Sequence, residues 1–329
     1  MTLQFNPDRK GAGISKPLSQ AAVTQVASRP KVQPETAAEL EGIRQRIIEA
    51  IGAGELDKAE KLSAQALDLA RRAGSQYDID RCECNRANVL VSIGRGEEVV
   101  APMRKLLLRS ADTGNRFAAA YAIAQHHFNA DENERSMFYA RQALRYAEEK
   151  NEPEFLAKCN NLVATLLLQE SYFTEASTNF EEALKFYPAG YERAGIQANL
   201  GYCLTVVGKI TLAFRHLVAS LRMMNRLHLG PWRRVPHLML AYAYLEIGRH
   251  GRAIQHAGRA LELSIGVPGA EVEHKNSLYL LGEAKKLIGR DTEAYEHFIE
   301  LQKDFYPEQP FIVDVLMMTD VRKMINLTA

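Results

Sequence analysis

The chain has 329 residues, 47% of them apolar, with 41 bases against 40 acids and a formal net charge of +1 at pH 7. No apolar run approaches the roughly 20 residues of a membrane span, and the first residues lack the apolar core of a secretory signal. Four cysteines (Cys82, Cys84, Cys159, Cys203) are too few for a disulfide framework at this length, so a reduced, cytoplasmic setting is expected.

Residues 1–34 carry Pro7, Pro17, Pro30 and Pro34, and five bases against the single acid Asp8. Such a segment buries too little apolar surface to offset chain entropy, and a disordered basic tail is expected over 1–35. Beyond it a period sets in. Ala59, Val99, Ser136, Ala176, Ala213, Ala253 and Ala294 recur at intervals of 40, 37, 40, 37, 40 and 41 residues, each near the start of an amphipathic segment. Short turns at Gly54, Gly94, Asp131, Gly208, Gly248 and Gly289 precede most of them. A constant period in this range marks a solenoid, whose units bury their apolar faces only against their neighbours. The sequence is rich in Leu, Ala, Glu, Arg and Lys, without alternating β-branched runs, so each unit reads as a helical hairpin. The expected fold is all-α: about seven hairpins over 36–308, closed by a capping helix over 309–329.

In chain order, the first three units place Ile47, Ala87 and Ala124 at the middle of their first helix. Cys82-Glu-Cys84 lacks the spacing and the second ligand pair of a zinc site, and residues two apart point to different helix faces. Pro102 falls within a second helix and should delay its start or kink it. His126-His127 diverge on one helix and read as packed or surface side chains. Unit four carries Phe173, Ala176, Phe180, Ala183 and Pro188, and unit five carries Asn199-Leu-Gly201. There the missing side chain of Gly201 lets the second helix pack close, with Ala213 and Ser220 facing it.

Charge then breaks the sameness of the units. From Lys209 to Arg259 there are nine bases, eight of them arginine, against the single acid Glu246, whereas residues 130–192 hold twelve acids and six bases. Arg215, Arg222, Arg226, Arg233, Arg234, Arg249 and Arg252, with the sole tryptophan Trp232, are expected to form a basic belt that steers an acidic partner. Met223 and Met224 add exposed-looking apolar residues beside Trp232. In unit seven, Gly282, Gly289, Ala294 and Phe298 repeat the logic of unit five; Glu271 and His274 have the spacing to face one metal, and a reading as loop-end polar residues explains them as well. The last segment, 310–327, is expected to bury Phe311, Val315, Met318 and Val321 as one stripe. No cofactor and no metal is expected.

The Asn-Leu-Gly of 199–201 and the Phe173–Pro188 series resemble the tetratricopeptide repeat, across about residues 38–307. The period exceeds the usual 34 residues, which is similar to the long-helix repeats of quorum-sensing regulators, of sensor halves of bacterial transcription activators and of kinesin light chains. The resemblance implies a right-handed superhelix whose concave groove is lined by the first helix of each pair. It places ligand contacts at Asn88, Tyr121, Gln125, Asn161, Tyr202, Tyr242, Tyr279 and Glu283. Tyrosines and amides suit an extended peptide. The basic clamp of chaperone-binding members is not reproduced beyond Asn88. With every segment assigned to tail, repeat or cap, the expected function is a non-enzymatic scaffold or adaptor for a protein or peptide, acidic in character. The alternatives are a peptide-responsive regulator that sequesters a partner protein, and a nucleic-acid-binding scaffold; no membrane partner is expected.

Overall fold

In the computed structural model, which describes residues 34–52, 55–187, 189–323 and 327, the chain forms seven consecutive helical hairpins. They pair α1 (Pro34–Gly52) with α2 (Leu56–Ala73), α3 (Gln76–Ser92) with α4 (Glu97–Arg109), and α5 (Thr113–Asn129) with α6 (Asn133–Lys150). Next come α7 (Pro153–Gln169) with α8 (Phe173–Phe186), α9 (Tyr191–Val206) with α10 (Ile210–Arg226), and α11 (Arg234–Glu246) with α12 (His250–Glu262). The last pair is α13 (Glu271–Lys286) with α14 (Asp291–Phe305), followed by a short α15 (Ile312–Met318) and a 3-10 turn at Val321–Lys323. The tail expected over 1–35 lies, except for its last two residues, outside the described residues, as do Gly54 and Pro188.

The 40-residue period is a packing period. All seven of its small residues are buried, Val99 included, because each sits where the second helix of a hairpin crosses the first. Ser136 satisfies its hydroxyl across that crossing by donating to the Ala124 carbonyl (2.9 Å), and Ser220 does the same to Ala194 (2.6 Å). Gly201 and Gly282 mark the tightest crossings. A Cβ on Gly201 would lie 2.5 Å from Leu217 Cγ, and one on Gly282 would lie 2.3 Å from the Phe298 ring.

From the second hairpin to the seventh, the turns inside the hairpins share one geometry. A left-handed residue ends the first helix: Gly94, Asp131, Ser171, Gly208, Gly248 and Gly289 all have φ between 56° and 78°. The next N–H reaches back five residues, as in Lys209 to Leu204 (2.8 Å) and Tyr172 to Leu167 (2.8 Å), which satisfies an otherwise orphaned carbonyl. Each odd-numbered helix from α3 to α11 also touches the next odd-numbered one, so this row is the closely spaced, inner side of the stack.

Two expectations need correction. Helix α4 begins at Glu97, ahead of Pro102, so the proline does not delay it. Pro102 lies on the exposed face, where the single ladder bond it deletes is open to water. The capping segment is also rotated from the expected stripe. Phe311, Val315 and Met318 face solvent, Met318 at 87% exposure, and Val313 and Leu316 are buried in their place; Val321 is buried as expected. The helix stops at Met318, because Lys286 Nζ takes both the Leu316 and Thr319 carbonyls. Seven residues are too few for periodicity to choose between the two faces.

Candidate functional site: an inner groove and an outer arginine stripe

The inner row opens a groove at its N-terminal end. Helices α3, α5 and α7, with Arg44 of α1 reaching across, enclose a cavity of about 570 Å³. A second cavity of about 250 Å³, lined by Asn161 and Thr165 of α7, adjoins it through Tyr121 and Gln125. Phe117 stacks on both Phe155 (ring centroids 3.8 Å apart) and Tyr121 (5.7 Å), which fixes the tyrosine in the wall. Gln125 Nε2 donates to Tyr121 Oη at 3.3 Å. Burial pushes the Tyr121 hydroxyl well above its ordinary range, so it keeps its proton and can donate it. Asn88 Oδ1 has no hydrogen-bond partner among the described residues. The charged walls are largely neutralised in pairs: Lys158 with Glu154 (2.6 Å) and Arg81 with Glu41 (2.7 Å).

Four of the expected groove residues, Asn88, Tyr121, Gln125 and Asn161, therefore meet around these two cavities. The other four do not face an open groove. Tyr202, Tyr242, Tyr279 and Glu283 are at most 7% exposed, because residues 319–323 and Leu327 pack against this face. Tyr202 packs edge-on against Phe173 and Tyr242, and its Oη accepts the Leu327 N–H at 3.2 Å. Tyr279 Oη donates to Tyr306 Oη (3.0 Å), and Glu283 pairs with Lys286 (2.7 Å). A tyrosine stripe reads the same in sequence whether a partner or the chain itself covers it.

The basic belt occupies the other row. Arg215, Arg222 and Arg226 stand at i, i+7 and i+11 on α10, a spacing that puts them on one stripe, and all three are exposed. Arg249 and Arg252 open α12 and are exposed as well. Among the described residues none of these five has an ion-pair partner, so the stripe keeps its charge. Arg234 does not belong to it. Only 5% exposed, Arg234 pairs through Nε with Glu273 (3.4 Å), donates from Nη1 to the Pro231 carbonyl (3.1 Å) and stacks on Trp232 (5.1 Å to the ring centre). Arg233 is half-buried and donates to Asn225 Oδ1 (3.1 Å). Both arginines tie down the 3-10 turn Pro231–Arg233. Trp232 itself stays exposed, whereas Met224, expected outside, is buried.

One pair escaped the sequence reading because its members are 19 residues apart. His237 of α11 and His256 of α12 place their Nδ1 atoms 2.9 Å from one another. Burial, then the neighbouring imidazole, pushes His237 down to about 4 from its ordinary 6.5. The unfolded chain thus takes up this proton first as pH falls, and folded stability should decline between about pH 6.5 and pH 4. The ring is partly exposed, so the loss is on the order of 1 kcal/mol. Urea titrations across that window should show it, and His237→Gln should flatten it; an unchanged slope would remove the pair from the account.

The cysteines and the His126-His127 pair resolve into packing. Cys82 and Cys84 are buried on different faces, Cys84 Sγ donating to the Asn115 carbonyl (3.5 Å). His127 is buried against Glu132 (2.6 Å), and His126 packs over Gly96. Glu271 accepts the Gly269 N–H (3.3 Å) rather than joining His274. His274 instead approaches Glu300 and Asp304 of α14, their ligand-capable atoms within 4.8 Å of one another. No described helix is long and apolar enough to cross a membrane.

No family model and no curated protein matches the chain. Solved structures do. The apo form of RapI aligns over 87% of this chain and 83% of its own, with a TM-score of 0.61 and 13% identity. The apo form of the quorum sensor NprR from B. thuringiensis covers 85% of this chain and 81% of its own (TM-score 0.61, 11% identity). NprR in complex with its cognate peptide NprX covers 86% and 89% (TM-score 0.59, 12% identity). At such identities the likeness is one of fold. Seven hairpins, small residues at every crossing and an inner row that lines a groove make the chain an all-α solenoid of the tetratricopeptide-repeat type.

Proposed function

We propose that the chain is a non-enzymatic, peptide-binding regulatory adaptor whose ligand lies in the cavity of α3, α5 and α7. The observation that carries this reading is the composition of that cavity. Asn88 offers an unpartnered amide oxygen, Tyr121 offers a rigid ring with a protonated hydroxyl, and Gln125 and Asn161 supply further amides. Such groups hold an extended main chain at low entropic cost. The likeness to NprR solved with its cognate peptide supports a ligand of that class.

The arginine stripe supports a second contact, with an acidic segment of a partner protein. Because the stripe lies on the outer row, a short peptide in the groove does not reach it; the two surfaces suit a sensor that binds a peptide inside and a protein outside. A peptide library panned on the full chain tests the first surface. Recovered peptides should lose at least tenfold in affinity when Asn88→Ala and Tyr121→Ala are combined, and lose nothing when Arg215, Arg222 and Arg226 become glutamate. An oligoglutamate and a homopolymeric RNA, each titrated across a salt series, test the second. Binding of the RNA alone, with a steep salt slope, would overturn the protein-partner reading in favour of nucleic acid.

A further inference from the structure

We propose that the far end of the groove, on α9, α11 and α13, is a second peptide site, which residues 319–323 and Leu327 of the same chain occupy in cis. The proposal rests on the groove being a peptide-binding surface, but it concerns other helices than the cavity of α3, α5 and α7.

The contacts of this segment are those of a bound peptide. At α13, Glu283 Oε2 accepts the Val321 N–H (3.4 Å), while Lys286 holds the Leu316 and Thr319 carbonyls. Arg322, paired with Asp320 (2.7 Å), lies within electrostatic reach of Glu246 on α11 and Glu283 on α13. At α9, Tyr202 Oη accepts the Leu327 N–H. Leu327 itself is 2% exposed and belongs to the apolar cluster of α7, α9 and α11, with Leu168, Val235 and Met239 lining the same recess. The contacts of residues 319–323 and of Leu327 thus fall on three inner helices, α13, α11 and α9. A carboxylate and a phenol hold main-chain N–H groups, and one aliphatic side chain fills a pocket. Main-chain contacts give affinity to any extended peptide, and the pocket and the acidic pair give preference.

The occupant that fits is an extended peptide with an aliphatic residue for the Leu327 pocket and a base five positions before it, between Glu246 and Glu283. Tethering gives the cis segment an effective concentration on the millimolar scale, so an outside peptide binds measurably only when the segment is weakened. This accounts for the burial of Tyr202, Tyr242, Tyr279 and Glu283 on a surface that the repeat pattern directs toward a ligand.

The test uses the full chain and a labelled synthetic peptide with the sequence of residues 317–329. A Leu327→Asp protein should bind it at least tenfold more tightly than the unsubstituted protein does. Adding Glu283→Ala should abolish that gain, whereas adding Tyr121→Ala should leave it intact, which separates this site from the first cavity. Equal binding by the Leu327→Asp and unsubstituted proteins would overturn the proposal. Should Leu327→Asp prevent folding, hydrogen exchange on the unsubstituted protein decides. The Val321 and Leu327 amides should exchange at least a hundredfold faster than those in the middle of α13, showing that the segment leaves its site while the repeats stay folded. Exchange at the rate of global unfolding would make the segment a fixed part of the core and refute the proposal.

Discussion

Gly201→Val is expected to cost more than 3 kcal/mol of stability, and Gly201→Ala about 1–2 kcal/mol. The first added carbon at this position would meet Leu217 Cγ at 2.5 Å, Leu217 Cδ2 at 2.6 Å and the Ala213 carbonyl at 3.2 Å. Leu217 is fully buried, so it has no open space to move into, and the helices must separate. Overpacking of this kind costs about 1–3 kcal/mol for small insertions. The better helix propensity of alanine returns about 1 kcal/mol of that, and valine returns less while adding two methyl groups. Gly195 supplies the control in the same helix, because nothing lies within 4 Å of a Cβ built there. Gly195→Ala should stabilise by about 0.5–1 kcal/mol. Opposite signs for two glycine-to-alanine changes six residues apart can be read by urea denaturation followed by circular dichroism. If both substitutions stabilise, close approach at Gly201 is not what holds α9 against α10.

What the sequence makes legible follows from how much chain each feature repeats over. The hairpins are readable because buried small residues recur seven times and left-handed turns six times among the described residues, and each copy corroborates the others. Ser171 shows the limit within the pattern: it takes the same left-handed turn as Gly208, yet a serine there carries no signal. Features that occur once are harder. The seven residues of α15 offer two apolar faces, and only the carbonyls held by Lys286 show where the helix ends. His237 and His256 meet across a hairpin whose register the sequence does not state. The groove divides along the same line. Asn88, Tyr121, Gln125 and Asn161 are placed together by repeat geometry alone. The fate of Tyr202 and Glu283 depends on where a non-repeating segment folds back, and no periodicity reports that.

Arg234 carries the second large effect, because charge counting and structure assign it opposite roles. As a member of the belt it would be an exposed base, and Arg234→Met would weaken an acidic partner while leaving the fold alone. In the structure it is a buried cation, held by Glu273, by the Pro231 carbonyl and by the face of Trp232. Removing one partner of a buried pair leaves the other charge uncompensated, at a cost of about 3–5 kcal/mol. Glu273 retains some access to water, so the lower end of that range, about 3 kcal/mol, is expected. Restoring neutrality with Glu273→Leu in the same chain should recover much of the loss, since an apolar pair of similar volume replaces the ions. Arg226→Met, on the exposed stripe, should change stability by no more than about 0.5 kcal/mol. The two single variants should therefore rank one way in denaturation and the reverse way in binding to oligoglutamate. If instead they rank alike in both, Arg234 acts at the surface after all, and the turn at Pro231–Arg233 must be held by Arg233 and its bond to Asn225.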